Sequence, residues 1–245
     1  MSIFSMLCAL VGCTAQSNNF QNVAVDEFTT DNGTPIKMYC IKHGSVRMQI
    51  GEKWVYIDPV TKAVQPVTDY TTMPKADIIL ITHEHGDHLD AEAINQLAND
   101  DTKIIVNPHS KEMLGGKGTA IKNGDVINEQ QITIEAVPAY NTSADKQNFH
   151  PKGRDNGYIL TIDGFRIYIA GDTEDIPEMK QIKDIDVAFL PCNLPYTMSP
   201  EQLAKAATMV KPKVLFPYHY GNTDIDKAVK LLEGTNIDVR IRQYQ

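Results

Sequence analysis

The chain has 245 residues, 42% hydrophobic and 22% charged, with a formal net charge of −8. That is enough apolar material for one large domain or two small halves, and no low-complexity tract or solenoid-type period is visible. The acidic balance, without a cluster of Lys and Arg, argues against a nucleic-acid partner and leaves a small molecule as the expected one; nothing in the sequence speaks to oligomeric state.

Met1 to Cys13 is apolar enough to insert in a membrane but too short to span one. Leu10-Val-Gly-Cys13 resembles the cleavage box of bacterial lipoproteins, and the polar stretch Thr14 to Asn19 suits a tether. The expectation is a signal segment and tether over residues 1–19 and a single domain over 20–245. Such a protein is exported, periplasmic or held at a membrane only through a lipid on Cys13; otherwise it is cytoplasmic. Cys40 and Cys192 would then remain as the other mature cysteines, and a pair so far apart defines no disulfide framework.

Ile36 to Ile41, Ser45 to Ile50 and Trp54 to Ile57 read as strands of an antiparallel meander, divided by His43-Gly44 and Gly51-Glu-Lys53. Asp58-Pro59 closes the third, as a turn-forming Asp before Pro would. Ile78-Ile-Leu-Ile81 is a short β-branched-rich run of the kind buried on both faces of a sheet. It ends in His83-Glu-His-Gly-Asp-His88, which holds three of the chain's seven histidines and two acids. His83 and His85, two apart, project to the same side of an extended loop and can share one ion. Gly86 lets the chain curl and turn Asp87 and His88 toward a second. A helical His-Glu-x-x-His zinc site needs histidines four apart, and that spacing from His83 falls on Asp87. An ordinary polar loop capping the next helix does not concentrate histidines in this way.

Ala91 to Asn99 has helical character and Lys103 to Val106 returns as a strand, giving a βαβ unit. His109 follows that strand, and its reading stays open between the site and the surface. Ile132 to Val137 is a further strand, ending at Pro138-Ala-Tyr-Asn141. Tyr158 to Ile162 and Phe165 to Ala170 are joined by Asp163-Gly164, a strong hairpin signal, and the second strand delivers Gly171-Asp172-Thr173. Val187 to Leu190 and Val214 to Phe216 read as strands, Pro200 to Val210 as a helix capped by Ser199, and Asp224 to Leu232 as another helix. Each half thus supplies sheet first and helices outside. The arrangement predicts an α/β fold, a four-layer αββα sandwich with a metal site along one edge, fed by strand ends from both halves.

His83-x-His85-x-Asp87-His88 after an apolar strand resembles the signature of the metallo-β-lactamase fold superfamily of metal-dependent hydrolases. Asp58, Gly171-Asp-Thr173, and His219 in Phe216-Pro-Tyr-His-Tyr220 fall in the order that family uses, from about Ile36 to the C-terminus. Within it, Leu190-Pro, Tyr196-Thr-Met198 and Pro217-Tyr-His219 resemble segments of small single-domain hydrolases related to bacterial ascorbate-lactone hydrolases. The resemblance implies that His83 and His85 hold one metal and Asp87, His88 and His219 the other. Asp172 bridges them, and Asp58 orients the histidine loop by accepting hydrogen bonds.

It implies a dinuclear hydrolase in which metal-bound hydroxide attacks a small ester or lactone, with Asp87 and Asp172 as catalytic residues. The ions are Zn²⁺ by ligand type, with Mn²⁺ or Fe²⁺ also compatible. A phosphodiesterase or nuclease of the same fold, or a metal-binding protein without hydrolytic turnover, are the alternatives. At one point the sequence departs from the family pattern. Where a third histidine for the first metal is usual, the chain has Asn141, with His150 nine residues on. His150 is open to three readings: the missing ligand, a substrate contact, or a surface residue.

Overall fold

The computed structural model describes residues 23–243, so the expected signal segment and Cys13 lie outside the described residues. The first half begins with an antiparallel meander of β1 (Val25–Thr29), β2 (Pro35–Lys42), β3 (Ser45–Ile50) and β4 (Lys53–Ile57). Three parallel strands then extend the sheet: β5 (Ile78–Leu80), β6 (Lys103–Val106) and β7 (Thr119–Ala120). Helices α1 (Ala91–Leu97) and α2 (Pro108–Met113) lie in the crossovers. The second half repeats the plan. β8 (Val126–Glu129), β9 (Ile132–Ala139), β10 (Asp155–Ile162) and β11 (Phe165–Ile169) run antiparallel. β12 (Val187–Pro191), β13 (Val214–Tyr218) and β14 (Asp238–Val239) follow in parallel, with α3 (Pro200–Val210) and α4 (Asp226–Leu231) between them. Among the described residues this makes two seven-stranded sheets, each in sequential strand order.

Period-two patterning explains the layers. Ile167 and Ile169 of β11 face the other sheet, joining Met38, Met48, Val55, Leu80, Leu160 and Phe189 in the central core. Tyr168 and Ala170, one residue out of phase, face outward against Leu203, Ala207 and Val210 of α3. On the far side Ile79 and Ile81 meet Ala93, Ile94 and Leu97 of α1. The order is helix, sheet, sheet, helix, as the sequence predicted. Ser199 caps α3 by accepting from the Gln202 amide, while the Gln202 side chain accepts from the Ser199 amide. The Asp163-Gly164 hairpin forms with both residues at positive φ, 51° and 84°.

The ends of β4 and β5 in one half, and of β11, β12 and β13 in the other, open on the same edge of the sandwich. There the polar residues gather. Cys40 and Cys192 are both buried and form no disulfide with each other. No helix among the described residues is long and apolar enough to cross a membrane.

Replacing Ser199 by Ala removes one half of the reciprocal cap. A loss of about 1 kcal/mol is expected, lowering the melting temperature by roughly 2–4 °C with bound metal unchanged. Differential scanning calorimetry of the two proteins checks it.

Candidate metal centre

Asp58 is the fixed point. It has no exposed surface and sits at the end of β4 with φ of 45°, in the left-handed region. Its carboxylate accepts from the Thr82 amide at 2.8 Å, the Thr82 hydroxyl at 2.6 Å and His88 Nδ1 at 2.8 Å. Because the Thr82 hydroxyl hydrogen goes to Asp58, Thr82 Oγ1 can only accept from His83 Nδ1, 3.0 Å away. Both histidines therefore carry a ring proton on Nδ1 and turn Nε2 to the cavity, where His83 Nε2 lies 3.0 Å from His85 Nδ1. The strand end itself is pinned by Asn156 and Asn107, which both donate to the Thr82 carbonyl.

The histidine loop turns through amides of His88 and Leu89 donating to the His85 carbonyl. Gly86 does not supply the turn, contrary to expectation: its φ is not positive, and a Cβ there would touch nothing. The glycine the site needs is Gly44. A Cβ on it would lie 2.8 Å from His88 Cε1 and 3.5 Å from His219 Cδ2. Gly171 is constrained as well, at φ 66° with a Cβ position 2.9 Å from the Asn156 carbonyl oxygen.

Three overlapping groups of ligand-type atoms result among the described residues, each able to hold a metal ion: His83, His85 and His150; His43, Asp87, His88 and His219; and His83, His88 and Asp172. Asp172 lies between the first two. Its Oδ2 is 3.4 Å from His150 Nε2 and 3.4 Å from His219 Nε2, and its Oδ1 is 3.5 Å from His88 Nε2. Asp87 Oδ2 is 3.4 Å from His219 Nε2 and 3.8 Å from His88 Nε2. Of the atoms facing this space, His88 Nε2, His150 Nε2, His219 Nε2 and Asp172 Oδ1 are buried without a hydrogen-bond partner. Lone pairs so converged and so dry are costly unless a cation takes them.

Protonation agrees with that use. Burial, aided by His88, His150 and His85, holds His83 well below the usual histidine value, and burial pushes His150 down to about 4. Burial favours the neutral acid at Asp172 and Asp87, yet neighbouring histidines overcome it and keep both carboxyls below the usual range. His88 is the exception. Burial opposes its charge, but Asp172 and Asp58 win and push it up to about 10. A buried set of carboxylates thus demands positive charge, as a proton on His88 or as a metal.

The structure gathers His83, His85, Asp87, His88, Asp172 and His219 around one space and adds His150, whose ring centroid is 5.1 Å from that of His83 and 5.0 Å from that of His85. Asn141 stands outside it. Its Nδ2 donates to the carbonyls of Lys146 and Tyr196, and its amide donates to the His150 carbonyl. It closes the loop that delivers His150. Buried Glu174 holds the same loop, accepting from the amides and hydroxyls of Thr142 and Ser143 and pairing with Lys146 at 3.1 Å. Hydrogen bonds from Ser143 and Lys146 overcome burial and hold Glu174 down at about 2. His109 stays on the surface of α2, 47% exposed, 4.0 Å from Glu84.

Sequence reasoning missed His43. Its ring lies against that of His219, centroids 3.6 Å apart and tilted by 40°, its Nε2 is 3.1 Å from Asp87 Oδ2, and its carbonyl accepts from the His219 amide. Both residues have positive φ, 46° and 50°. A turn histidine beside glycine carries no local signal for this, although Gly44 itself, in a tight place, could have raised it.

A seven-strand pair of sheets with this edge site defines a metallo-β-lactamase αββα sandwich. The Beta-lactamase superfamily domain family matches residues 37–219, and the chain belongs to that family. It is 31% identical over 220 residues to a UPF0173 metal-dependent hydrolase of Thermococcus kodakarensis, covering 85% of this chain and 96% of that protein. Among solved structures it is similar to one described as a metal-dependent hydrolase from Parabacteroides distasonis. Identity is 54%, TM-score 0.87, with 91% of this chain and 100% of that one covered. A metallo hydrolase from Ignicoccus hospitalis matches at 25% identity and TM-score 0.71, over 85% of this chain and 95% of that one. The protein is a metal-dependent hydrolase of this fold, and its His and Asp cluster could hold metal.

Gly44→Ala should displace the His88 and His219 rings without unfolding the sandwich. Metal content by elemental analysis is expected to fall by about one ion per chain while the far-ultraviolet circular dichroism is retained. Full metal content in this variant would contradict the close packing described.

Proposed function

We propose that the protein hydrolyses a small ester or lactone at a two-ion centre that His83, His85 and His150 would hold on one side and Asp87, His88 and His219 on the other, with Asp172 between the two sets. The observation that supports it most is the convergence of buried, unpartnered Nε2 and carboxylate atoms from both halves on one space. The nitrogen and oxygen donors, with no thiolate among them, suit Zn²⁺, or Mn²⁺ and Fe²⁺. Bound there, such ions would activate water at neutral pH and polarise a carbonyl.

The chain's own groups do the rest. Asp58 and Thr82 keep the ring protons of His88 and His83 on Nδ1, away from the reaction space. Asp87, with a third of its side chain exposed, takes the proton of the attacking water on Oδ2, and His43 Nε2 beside it carries that proton toward the departing oxygen. His150 and Asp172 exclude bulk water from the floor, since both are almost wholly buried. The phosphodiesterase reading is weaker: among the described residues no lysine or arginine lines the cavity above the cluster to clamp a diester.

Purified protein is expected to lose hydrolysis of a lactone and ester panel when dialysed against a chelator, and to regain it with Zn²⁺ or Mn²⁺. Asp172→Ala should lower kcat/KM by more than the roughly 10–100-fold typical of losing a group behind a ligand. His150→Ala should remove one ion of two by elemental analysis. Activity indifferent to chelation, or two ions retained in His150→Ala, would count against the assignment.

A further inference from the structure

The cavity over the metal cluster has a volume of about 450 Å³, within the range of small-molecule sites. Its floor is made of the ligand residues. Its walls are Phe149, Asn193 and Tyr196, and among the described residues no lysine or arginine lines it. Phe149 and Tyr196 meet edge to face, ring centroids 5.2 Å apart at 73°. Tyr196 is 46% exposed, so a large aromatic side chain stands open to solvent at the mouth.

The nearby cations are all engaged elsewhere. Lys146 pairs with Glu174 and the Thr197 carbonyl, Lys152 with Glu178, and Arg154 with Glu84 and Asp155. Both aromatic residues are also tied to the metal centre through the backbone. Phe149 precedes His150, and Asn141 joins that loop to the Tyr196 carbonyl at 2.8 Å. The walls and one ligand therefore hold their places together.

Building on the ester and lactone reading, we propose that the substrate is uncharged and carries a flat apolar group, aromatic or similar, that lies against the Phe149 and Tyr196 rings. Its acyl carbon then points down to the cluster. Asn193, whose Nδ2 lies 3.4 Å from His219 Nδ1, has a second amide hydrogen to offer to a ring or carbonyl oxygen of the substrate. A negatively charged group at the mouth would have to shed water with no lysine or arginine in the lining to receive it. A flat apolar group gains ring contact in the offset or edge-to-face manner instead.

The test uses metal-loaded full-length protein and an unreactive amide, N-benzylacetamide, with acetamide and its 4-carboxybenzyl counterpart as comparators, titrated by calorimetry. N-benzylacetamide should bind more tightly than either comparator. Tyr196→Ala should weaken it about threefold to tenfold, the range of one aromatic contact. Tyr196→Phe should keep it, and metal content should be unchanged in both variants. Equal affinity for the three amides, tighter binding of the carboxylate, no binding at all, or indifference to Tyr196→Ala would each overturn the proposal. Selective binding of the benzyl probe by a protein that turns over no ester or lactone would support the aromatic mouth and refute the hydrolytic reading.

Discussion

A carboxylate with no exposed surface must have its oxygens satisfied by the protein, and at Asp58 this demand organises the site. The three donors that meet it come from Thr82 and His88. They fix the end of β5, the course of the histidine loop and the tautomers of two histidines. Removing such an acceptor leaves buried donors unpaired, which costs about 1–3 kcal/mol each. The second half has a counterpart: Asp172 ends β11 as Asp58 ends β4. The first carboxylate spends its oxygens on protein donors. The second, with one oxygen unpartnered, turns toward the cluster. One plan used twice thus yields a positioning acid and a site acid.

Much of this was legible in the sequence for physical reasons. Strands β2 to β6 and β9 to β13 carry either alternating or continuous apolar runs, and α3 follows its capping residue Ser199. The Asp163-Gly164 turn needs two positive φ values, and those residue types adopt them. The His83 to His88 cluster announces itself by density alone. Other elements were not legible. β7 and β14 are two residues long, and β1 and β8 are polar edge strands with one neighbour, so pairing rather than pattern makes them strands.

Within the site, the missing part was what depends on backbone conformation and long-range approach. His43 joins the cluster because Gly44 lets His88 come close and because the His219 amide reaches the His43 carbonyl across the two halves. Neither fact is local. The same holds for His150, left open by spacing. Its place follows from Asn141 and Glu174, which fold the loop back by hydrogen bonds that no motif records. Asn141, where the family pattern has a histidine, thus serves the loop.

The account's central claim is that two cations share this edge, each with its own histidines and both with Asp172. Crystals of protein purified without chelator, measured above and below the absorption edge of the metal found in them, test it most directly. The account predicts two anomalous peaks per chain, one against His83, His85 and His150, the other against Asp87, His88 and His219, with Asp172 within bonding distance of both. A single peak, or peaks away from these side chains, would contradict it.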